Sequence, residues 1–197
     1  MHKLPFELKE KPGIVIFTAP SGAGKTTIVR HLLGKFQGLG FSVSATNRSA
    51  RPYETDGKDY YFFRTREFLR KVKEGAFLEW EEVYDDQFYG TLGSEVERIW
   101  GLDQHILFDI EVNGATNLKE KYGNRALAVF IKPPSPAVLF ERLKARKTET
   151  ESSLRKRIIR AEKELTFEDK FDLVLVNDDL DVALKEAEHI IKSFLVI

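Results

Sequence analysis

A glycine-rich loop between an apolar strand and a helix is the feature that most restricts the fold of this chain. The run Gly13-Ile14-Val15-Ile16-Phe17 is short, continuous and apolar, which is typical of a strand buried in a parallel sheet. The loop 19–24 follows, and a helical pattern with one apolar face begins at Lys25. This order of elements predicts an α/β fold with a phosphate-binding loop.

The residues of the loop suit nucleotide phosphates. Glycines at 22 and 24 let backbone N–H groups point into the loop, and Lys25 reaches the outer phosphates. The alternative is an ordinary strand–helix connection that happens to contain glycines. Lys25 argues against that alternative, because a lysine at a helix N-terminus is electrostatically unfavourable unless an anion lies there. The expected phosphate-binding residues are Ala19, Pro20, Ser21, Gly22, Ala23, Gly24, Lys25, Thr26 and Thr27.

A magnesium site is expected beside the loop. The Thr26 hydroxyl is a suitable ligand for Mg²⁺. A partner acid is expected at the end of a neighbouring strand, and Asp109 closes the apolar run 105–110. The alternative for Asp109 is a strand-end aspartate that accepts local backbone hydrogen bonds. Beside a phosphate-binding loop, Thr26 and Asp109 are therefore the predicted metal ligands.

Strands alternate with helices along most of the chain, which predicts a three-layer α/β/α core with a parallel sheet. Two segments interrupt the alternation: 42–91 resembles a small inserted α+β subdomain, and 141–165 resembles a charged helical hairpin. The core is therefore predicted over 1–41, 92–140 and 166–197. Expected strands are 13–17, 105–110, 126–131 and 171–176, and expected helices lie around 114–121, 136–145, 152–165 and 181–194.

Composition excludes several classes of protein. The 197 residues include 31 basic and 31 acidic side chains, so the basic excess usual in nucleic-acid-binding proteins is absent. A hydrophobic fraction of 42% excludes an acidic disordered chain, and the lack of cysteine excludes disulfides and thiolate metal sites. Neither a signal sequence nor an apolar run of membrane-spanning length is seen. We expect a soluble, cytoplasmic protein without nucleic-acid or membrane partners.

A second phosphate site is indicated by arginines in the 42–60 segment. Arg48 and Arg51 lie three residues apart, and the Tyr60 hydroxyl follows. Guanidinium groups bind phosphate oxygens in bidentate fashion, which suits a phosphate monoester. The alternative is that both arginines only solubilise a loop.

Several motifs in register resemble those of the guanylate kinases. The similarity runs from about residue 13 to the end in the family's order. Besides the loop, its motifs are Ser44…Arg48…Arg51…Tyr60, Phe77-Leu78-Glu79-Trp80, Phe88-Tyr89-Gly90-Thr91, Asp109-Ile110-Glu111, the 141–151 stretch, and Val176-Asn177-Asp178-Asp179. The resemblance implies a P-loop kinase that transfers phosphate from ATP to GMP or dGMP with Mg²⁺.

The resemblance also implies residue roles at the GMP site. Glu79 would accept hydrogen bonds from the N1–H and 2-amino groups of guanine, whereas adenine offers an acceptor at N1 and would be rejected. The alternative for Glu79 is a solvated strand residue, because the segment 79–86 holds five acidic residues and no basic one. The implied GMP-binding residues are Ser44, Arg48, Arg51, Tyr60, Glu79, Tyr89, Thr91, Asp109 and Glu111.

The 141–165 hairpin resembles the family's lid. Arg142, Arg146 and Arg157 would close over the ATP phosphates, and Asn177 would meet the adenine. Arg155, Lys156 and Arg160 are interpreted as surface residues of the hairpin. With Lys25 and Arg48, the three lid arginines are the implied catalytic residues, acting by charge neutralisation without a general base.

Some positions depart from the family's usual pattern. Ala19 replaces the first loop glycine, Glu111 stands for aspartate, and Asn113 for glutamine; one extra residue lies between Glu79 and Tyr89. Two other functions remain open: a related P-loop kinase for a ribose bisphosphate, and a guanylate-kinase-like module that binds phosphopeptides without catalysis. The intact loop and arginines favour the enzyme.

Overall fold

The computed structural model describes residues 12–145 and 151–195, with the backbone alone for 151–153. In chain order the strands are β1 (Ile14–Thr18), β2 (Leu39–Ser42), β3 (Ser44–Thr46), β4 (Tyr61–Phe62), β5 (Phe77–Tyr84), β6 (Gln87–Leu92), β7 (His105–Asp109), β8 (Ala126–Lys132) and β9 (Leu173–Val176). The helices are α1 (Lys25–Lys35), α2 (Thr65–Lys73), α3 (Gly93–Trp100), α4 (Val112–Tyr122), α5 (Pro136–Lys144), α6 (Glu151–Leu165) and α7 (Leu180–Leu195).

The core is a five-stranded parallel sheet in the order β2-β7-β1-β8-β9. Successive residues of β1 point to opposite faces. Val15 and Phe17 enter a cluster with α1 and α7, whereas Ile14 and Ile16 enter a cluster with α3 and α4. Both faces are therefore covered, which explains why the strand is apolar throughout. The predicted three-layer α/β class is confirmed.

A smaller mixed sheet, β4-β3-β6-β5, stands beside the core. Strand β6 is antiparallel to both β3 and β5, and β3 is parallel to β4. Helix α2 covers this sheet through Phe68, whose ring lies 4.5 Å from that of Phe77 and 5.7 Å from that of Phe88. The expected α+β subdomain corresponds to this sheet and helix, but β3 and β6 are not apparent in the sequence because polar residues interrupt them.

Strand β2 and helix α3 are core elements that the sequence pattern does not reveal. Strand β2 is only four residues long and contains a glycine and a serine, so it lacks the continuous apolar run of its neighbours. Its last residue, Ser42, pairs with Phe108 of the core sheet, and Leu92 pairs with Phe77 of the smaller sheet. The insert was predicted over 42–91. Ser42 therefore belongs to the core sheet and Leu92 to the smaller sheet, each one position away from the predicted boundary.

Val43 alone separates β2 from β3 and thus connects the two sheets. Its backbone N–H donates to Oε2 of Glu95 at 2.8 Å. The other carboxylate oxygen of Glu95 accepts from the Tyr61 hydroxyl at 2.9 Å. Glu95 is buried in the first turn of α3, which follows β6 directly. Both crossings between the sheets therefore meet at one carboxylate.

In the part of the chain that the structure describes, no helix combines the length and apolarity needed to cross a membrane.

Candidate active site

The loop between β1 and α1 has a backbone that requires glycine. Gly22 and Gly24 have φ angles of 95° and 96°, in the left-handed region that other residues rarely adopt. A Cβ at Gly24 would also clash with the side-chain amide of Asn177. The N–H of Ala23 closes the turn by donating to the Pro20 carbonyl at 3.1 Å. The loop therefore has the open backbone that phosphate binding needs.

Asn177 supports this loop from the end of β9. It is buried, and its Nδ2 donates to the Ala23 carbonyl at 2.8 Å. Arg142 of α5 donates in turn to the backbone carbonyl of Asn177 at 3.0 Å and to that of Asp178 at 3.4 Å. These contacts were not apparent from the sequence. The roles of Asn177 toward adenine and of Arg142 toward phosphate stay predictions.

Lys25 lies at the mouth of the loop and is ion-paired with Asp109 at the end of β7. Its Nζ also donates to the Ile110 carbonyl at 2.9 Å. Burial lowers the pKa of Lys25, but the carboxylates of Asp109 and Glu111 outweigh burial, and the net pKa is raised. The lysine is therefore charged at neutral pH. Asp109, the acid expected beside the loop, therefore contacts Lys25, and its role as a magnesium ligand stays a prediction.

Oxygen ligands for a magnesium ion lie in the same cleft. Thr26 and Asp109 both line it, and they supply the hydroxyl and carboxylate oxygens that Mg²⁺ prefers. Within the described residues, no cluster of three or more histidine, aspartate or glutamate side chains could hold a metal alone. Magnesium commonly relies on one or two protein ligands together with substrate phosphates and water. The residues present fit such an ion.

Arg48 forms the centre of the second phosphate-binding group. Its guanidinium makes a bidentate pair with Glu54, with both N···O distances at 2.7 Å. Its Nε donates to the Tyr89 hydroxyl at 3.2 Å, and its charge lies 4.9 Å from the centre of the Tyr60 ring. Hydrogen bonding to Glu54 raises the pKa of Arg48. The interpretation of Arg48 as a solubilising residue is wrong, because only 14% of its side chain is exposed.

Glu54 is a residue of this group that the sequence analysis missed. Only 6% of its side chain is exposed, and it also accepts from the Arg51 backbone N–H at 2.8 Å. The hydrogen bonds from Arg48 lower the pKa of Glu54 to about 2, so the carboxylate is ionised at any assay pH. Its position three residues after Arg51 was the available signal. Arg51 itself is half exposed, with Nη1 at 3.4 Å from Glu54.

Ser44, Thr91 and Glu79 lie side by side on β3, β6 and β5. Ser44 pairs with Thr91 across one ladder, and Thr91 pairs with Glu79 across the next. The Thr91 hydroxyl donates to Oε1 of Glu79 at 2.6 Å. Glu79 is 8% exposed, whereas Glu82 and Asp85 on the same hairpin are exposed. The alternative of a solvated strand residue is therefore wrong for Glu79.

The pocket around Glu79 is shaped by Gly114 of α4. A Cβ at Gly114 would clash with the Glu79 carboxylate, so close approach of the helix requires glycine here. Burial raises the pKa of Glu79 to about 7, although the hydrogen bond from Thr91 opposes the shift. A buried carboxylate with a raised pKa in a cleft is a typical feature of a functional site.

One continuous cleft joins these groups. Its inner part is a small cavity lined by Lys25, Ser44, Tyr60, Glu79, Glu81, Tyr89, Gly90, Asp109, Ile110 and Glu111. Its outer part, of about 240 Å³, runs along the phosphate loop and includes Arg48, Arg51, Tyr60, Tyr89, Asp109, Glu111, Arg157 and Arg160. The two parts share Lys25, Tyr60, Tyr89, Asp109 and Glu111. Residues expected for two different nucleotides therefore line a common space.

Helix α6 places two arginines at this cleft. Arg157 donates to the Ser21 hydroxyl of the phosphate loop at 3.3 Å. The interpretation of Arg160 as a surface residue is wrong, because its guanidinium reaches the Val83 carbonyl at 2.6 Å and Glu81 at 3.1 Å. Lys156 does lie at the surface, paired with the exposed Asp85. Arg146 falls outside the described residues.

The fold and the cleft define a phosphate-loop protein of the α/β class. The chain belongs to the guanylate kinase family, whose model matches residues 11–194. It is 51% identical over 182 residues to the guanylate kinase of Salinibacter ruber, covering 92% of this chain and 96% of that protein. It is 46% identical over 184 residues to the guanylate kinase of Bacteroides fragilis, covering 93% and 90% of the two chains.

A solved structure agrees with these relatives. The crystal structure of guanylate kinase from Anaplasma phagocytophilum matches with a TM-score of 0.74 at 28% identity, covering 96% of this chain and 89% of that one. The resemblance inferred from the motifs is confirmed at the level of the family and of the fold.

Proposed function

We propose that the protein transfers the γ-phosphoryl group of ATP to GMP, and also to dGMP, giving ADP and GDP or dGDP. The observation that carries this proposal is the buried Glu79, hydrogen-bonded to Thr91 and placed in one cleft with the phosphate loop. A guanine-reading carboxylate and an ATP-binding loop in a common space are what such a transfer requires. Membership of a family of phosphotransferases supports the same reaction.

The acceptor is itself a phosphate oxygen, so the reaction needs positioning and charge neutralisation and no general base. Two polyanions must approach within bonding distance, which is strongly opposed in a dry cleft. Lys25 neutralises charge from the loop side, Arg48 and Arg51 from the GMP side, and Arg157 from the lid. Arg142 and Arg146 complete the proposed set. A magnesium ion held by Thr26 and Asp109 would supply further charge neutralisation when bound.

Guanine recognition is proposed to rest on the Ser44–Thr91–Glu79 row. Oε1 of Glu79 is held by the Thr91 hydroxyl, so the carboxylate has a fixed orientation. Guanine presents N1–H and the 2-amino group side by side, and one carboxylate can accept from both. AMP would place its N1 lone pair against this oxygen, and an unpaired buried group discriminates strongly. Glu111, at the start of α4, lines the same cavity as Glu79.

We propose a division of labour along the chain that follows this chemistry. The core (1–41, 92–140 and 166–197) binds ATP, the 42–91 insert binds GMP, and the 141–165 hairpin acts as the lid. Asn177 is proposed to contact adenine at the edge of the core. The reaction belongs to purine nucleotide metabolism, and we assign it to the cytoplasm.

Two other functions are less well supported. A phosphopeptide-binding module would have no need of a lysine paired with an acid at the phosphate loop, whereas Lys25 and Asp109 form that pair here. A ribose bisphosphate kinase would have no need of a buried base-reading carboxylate, whereas Glu79 is buried. Neither alternative accounts for both features.

A coupled assay of ADP release tests the proposal, with GMP, dGMP, AMP, CMP and UMP as acceptors and Mg²⁺ present. We expect activity with GMP and dGMP at least a thousandfold above that with AMP, on the order of the discrimination that unpaired buried polar groups produce. Equal rates with AMP and GMP would refute the guanine assignment. Activity with none of the acceptors would favour the binding module.

Replacement of Glu54 tests the support of the phosphate-binding arginines. We expect Glu54→Gln to raise the KM for GMP about tenfold, because a charge-assisted hydrogen-bond pair that orients Arg48 is lost. The KM for ATP should stay within about twofold of wild type, since Glu54 contacts only the GMP side. Glu74→Gln, which removes an exposed carboxylate paired with Arg70 on α2, is the matched control. Steady-state kinetics of both variants decide the point.

The affinity for GMP should depend on pH through Glu79. Its pKa is raised to about 7, so in the free protein the carboxyl is largely protonated at pH 6 and largely ionised at pH 8. Guanine needs the ionised form, so the KM for GMP should be about tenfold higher at pH 6 than at pH 8. The GMP phosphate also titrates near pH 6, and a Glu79→Gln variant isolates that contribution. An equally steep profile in this variant would contradict the assignment.

A further inference from the structure

Arg160 belongs to the lid helix α6, but its contacts lie on the guanine side of the cleft. Its Nη1 donates to the Val83 carbonyl at 2.6 Å, and its Nη2 lies 3.1 Å from Glu81 and 3.6 Å from Glu111. Its Nε donates to Glu164 at 2.6 Å, which orients the guanidinium from within α6. Only 19% of the side chain is exposed. Four partners from three elements hold one guanidinium.

The Val83 carbonyl is available because β5 carries a bulge. The ladder with β6 runs in register from the pair Glu79–Thr91 to the pair Glu82–Phe88 and resumes at Tyr84–Gln87, so Val83 is an extra residue at this point. A bulge leaves one residue out of the ladder and redirects its backbone groups. The bulge therefore supplies the backbone acceptor for Arg160.

The carboxylates around Arg160 belong to the guanine pocket. Glu81 and Glu111 line the same small cavity as Glu79. These three carboxylates repel one another in a poorly solvated cleft, and the positive charge of Arg160 offsets that repulsion. Glu81 has a fixed orientation, because its second oxygen accepts from Asn113 Nδ2 at 2.8 Å. The guanidinium therefore fixes one wall of the pocket electrostatically.

Helix α6 contacts both nucleotide sites through arginines that are one turn apart. Arg157 reaches Ser21 on the phosphate loop, and Arg160 reaches Val83 and Glu81 on the guanine wall. Residues three apart lie on one face of a helix, so a single seated position of α6 satisfies both contacts. Removal of the second contact would loosen the helix on the guanine side first.

We infer that Arg160 is a positioning residue that holds the lid helix against the guanine wall through the Val83 carbonyl and the Glu81 carboxylate. This role rests on the proposed GMP kinase function and adds a residue to its specificity machinery. Seating of α6 and binding of guanine then support each other, because both order β5 and Glu111. Arg160 also lines the outer part of the cleft, but the hydrogen bonds described above go to β5 and Glu164 rather than to the phosphate loop.

Kinetics of Arg160→Gln test the inference. We expect the KM for GMP to rise about tenfold, from the loss of hydrogen bonds to charged and backbone acceptors, with a change below about threefold in the KM for ATP. Arg160→Lys keeps the charge but not the planar fork, so it should recover only part of the loss. Lys156→Gln removes a charge from the same helix and breaks an exposed pair with Asp85, so it is the control and should match wild type. Equal changes in both KM values would overturn the inference.

A double-mutant cycle separates positioning from general destabilisation. If Arg160 acts through Glu81, the effects of Arg160→Gln and Glu81→Gln on the KM for GMP are non-additive, whereas additive effects would contradict the inference. Deletion of Val83 should reproduce most of the Arg160→Gln effect, since it removes the bulge. A normal KM for GMP in the deletion variant would count against the role of the carbonyl.

Amide hydrogen exchange of the ligand-free protein gives a measurement independent of activity. We expect faster exchange in α6 of Arg160→Gln than of wild type or Lys156→Gln, because its anchor on the guanine wall is lost. If the wild type lacks GMP kinase activity but α6 responds in this way, the proposed function fails and the anchoring role stands. If wild-type activity is present and neither exchange nor the KM for GMP changes, the inference alone fails.

Discussion

Lys25→Ala is expected to reduce the turnover number by about a thousandfold, because it removes a preorganised charge from the site where phosphate charge develops. The lysine is held by Asp109 and the Ile110 carbonyl, so its position is fixed before substrate binds. The substitution leaves the Asp109 carboxylate without its cation in a half-buried place. We therefore also expect a lower melting temperature, which differential scanning calorimetry would measure.

The kinetic effect has a matched control in the same helix. Lys35→Ala removes an exposed lysine at the last turn of α1, where it pairs with Glu188. We expect its turnover to stay within about twofold of wild type, as for most exposed ion pairs. Wild-type turnover by Lys25→Ala at a temperature where the variant is folded would refute the role given to Lys25.

Glu79→Ala is expected to abolish the preference for guanine. Two hydrogen bonds from the base to a charged acceptor are lost, so kcat/KM for GMP should fall about a thousandfold. Activity with AMP should not fall, because Glu79 opposes adenine, and the ratio of the two activities should collapse. The KM for ATP should change by less than about twofold, since Glu79 does not line the outer part of the cleft along the phosphate loop.

Acceptor profiles of three proteins test this expectation. Glu82→Ala removes an exposed carboxylate from the same strand and should keep the wild-type profile. Thermal unfolding of Glu79→Ala shows whether the pocket still folds; a stable variant with an unchanged preference for GMP over AMP would exclude Glu79 as the base-reading residue. Loss of GMP and ATP binding together would also contradict the assignment.

The fold class could be predicted because its main signals are local. The runs at 13–17 and 126–131 are continuous and apolar, and the loop between β1 and α1 has its own motif. Strand β2 and helix α3 were not predicted from the sequence. Strand β2 is short and partly polar, and its burial comes from neighbours that are distant in sequence. Tertiary context, which overrides weak local propensity, decides such elements.

The site was predictable in its motifs and not in its supporting contacts. The spacing of Arg48 and Arg51 indicates a phosphate site, but nothing in the local sequence shows that the Glu54 side chain is buried against Arg48. Arg160 was interpreted as a surface residue because its neighbours in the helix are charged. Its actual partners include Val83, which is 77 residues away and acts through a backbone carbonyl. A backbone acceptor exposed by a bulge leaves no side-chain signature in a sequence.

The single-residue link at Val43 joins the smaller sheet to the core beside the buried Glu95, where both chain crossings meet. Helix α4 of the core also contacts this sheet, where Gly114 packs against Glu79. The base-reading end of the pocket is therefore attached to the core, whereas the contacts of Arg48 described above are all with residues of the 42–91 insert. We therefore expect substitutions in α4 to act first on recognition of the base, and substitutions in the insert to act first on binding of the phosphate.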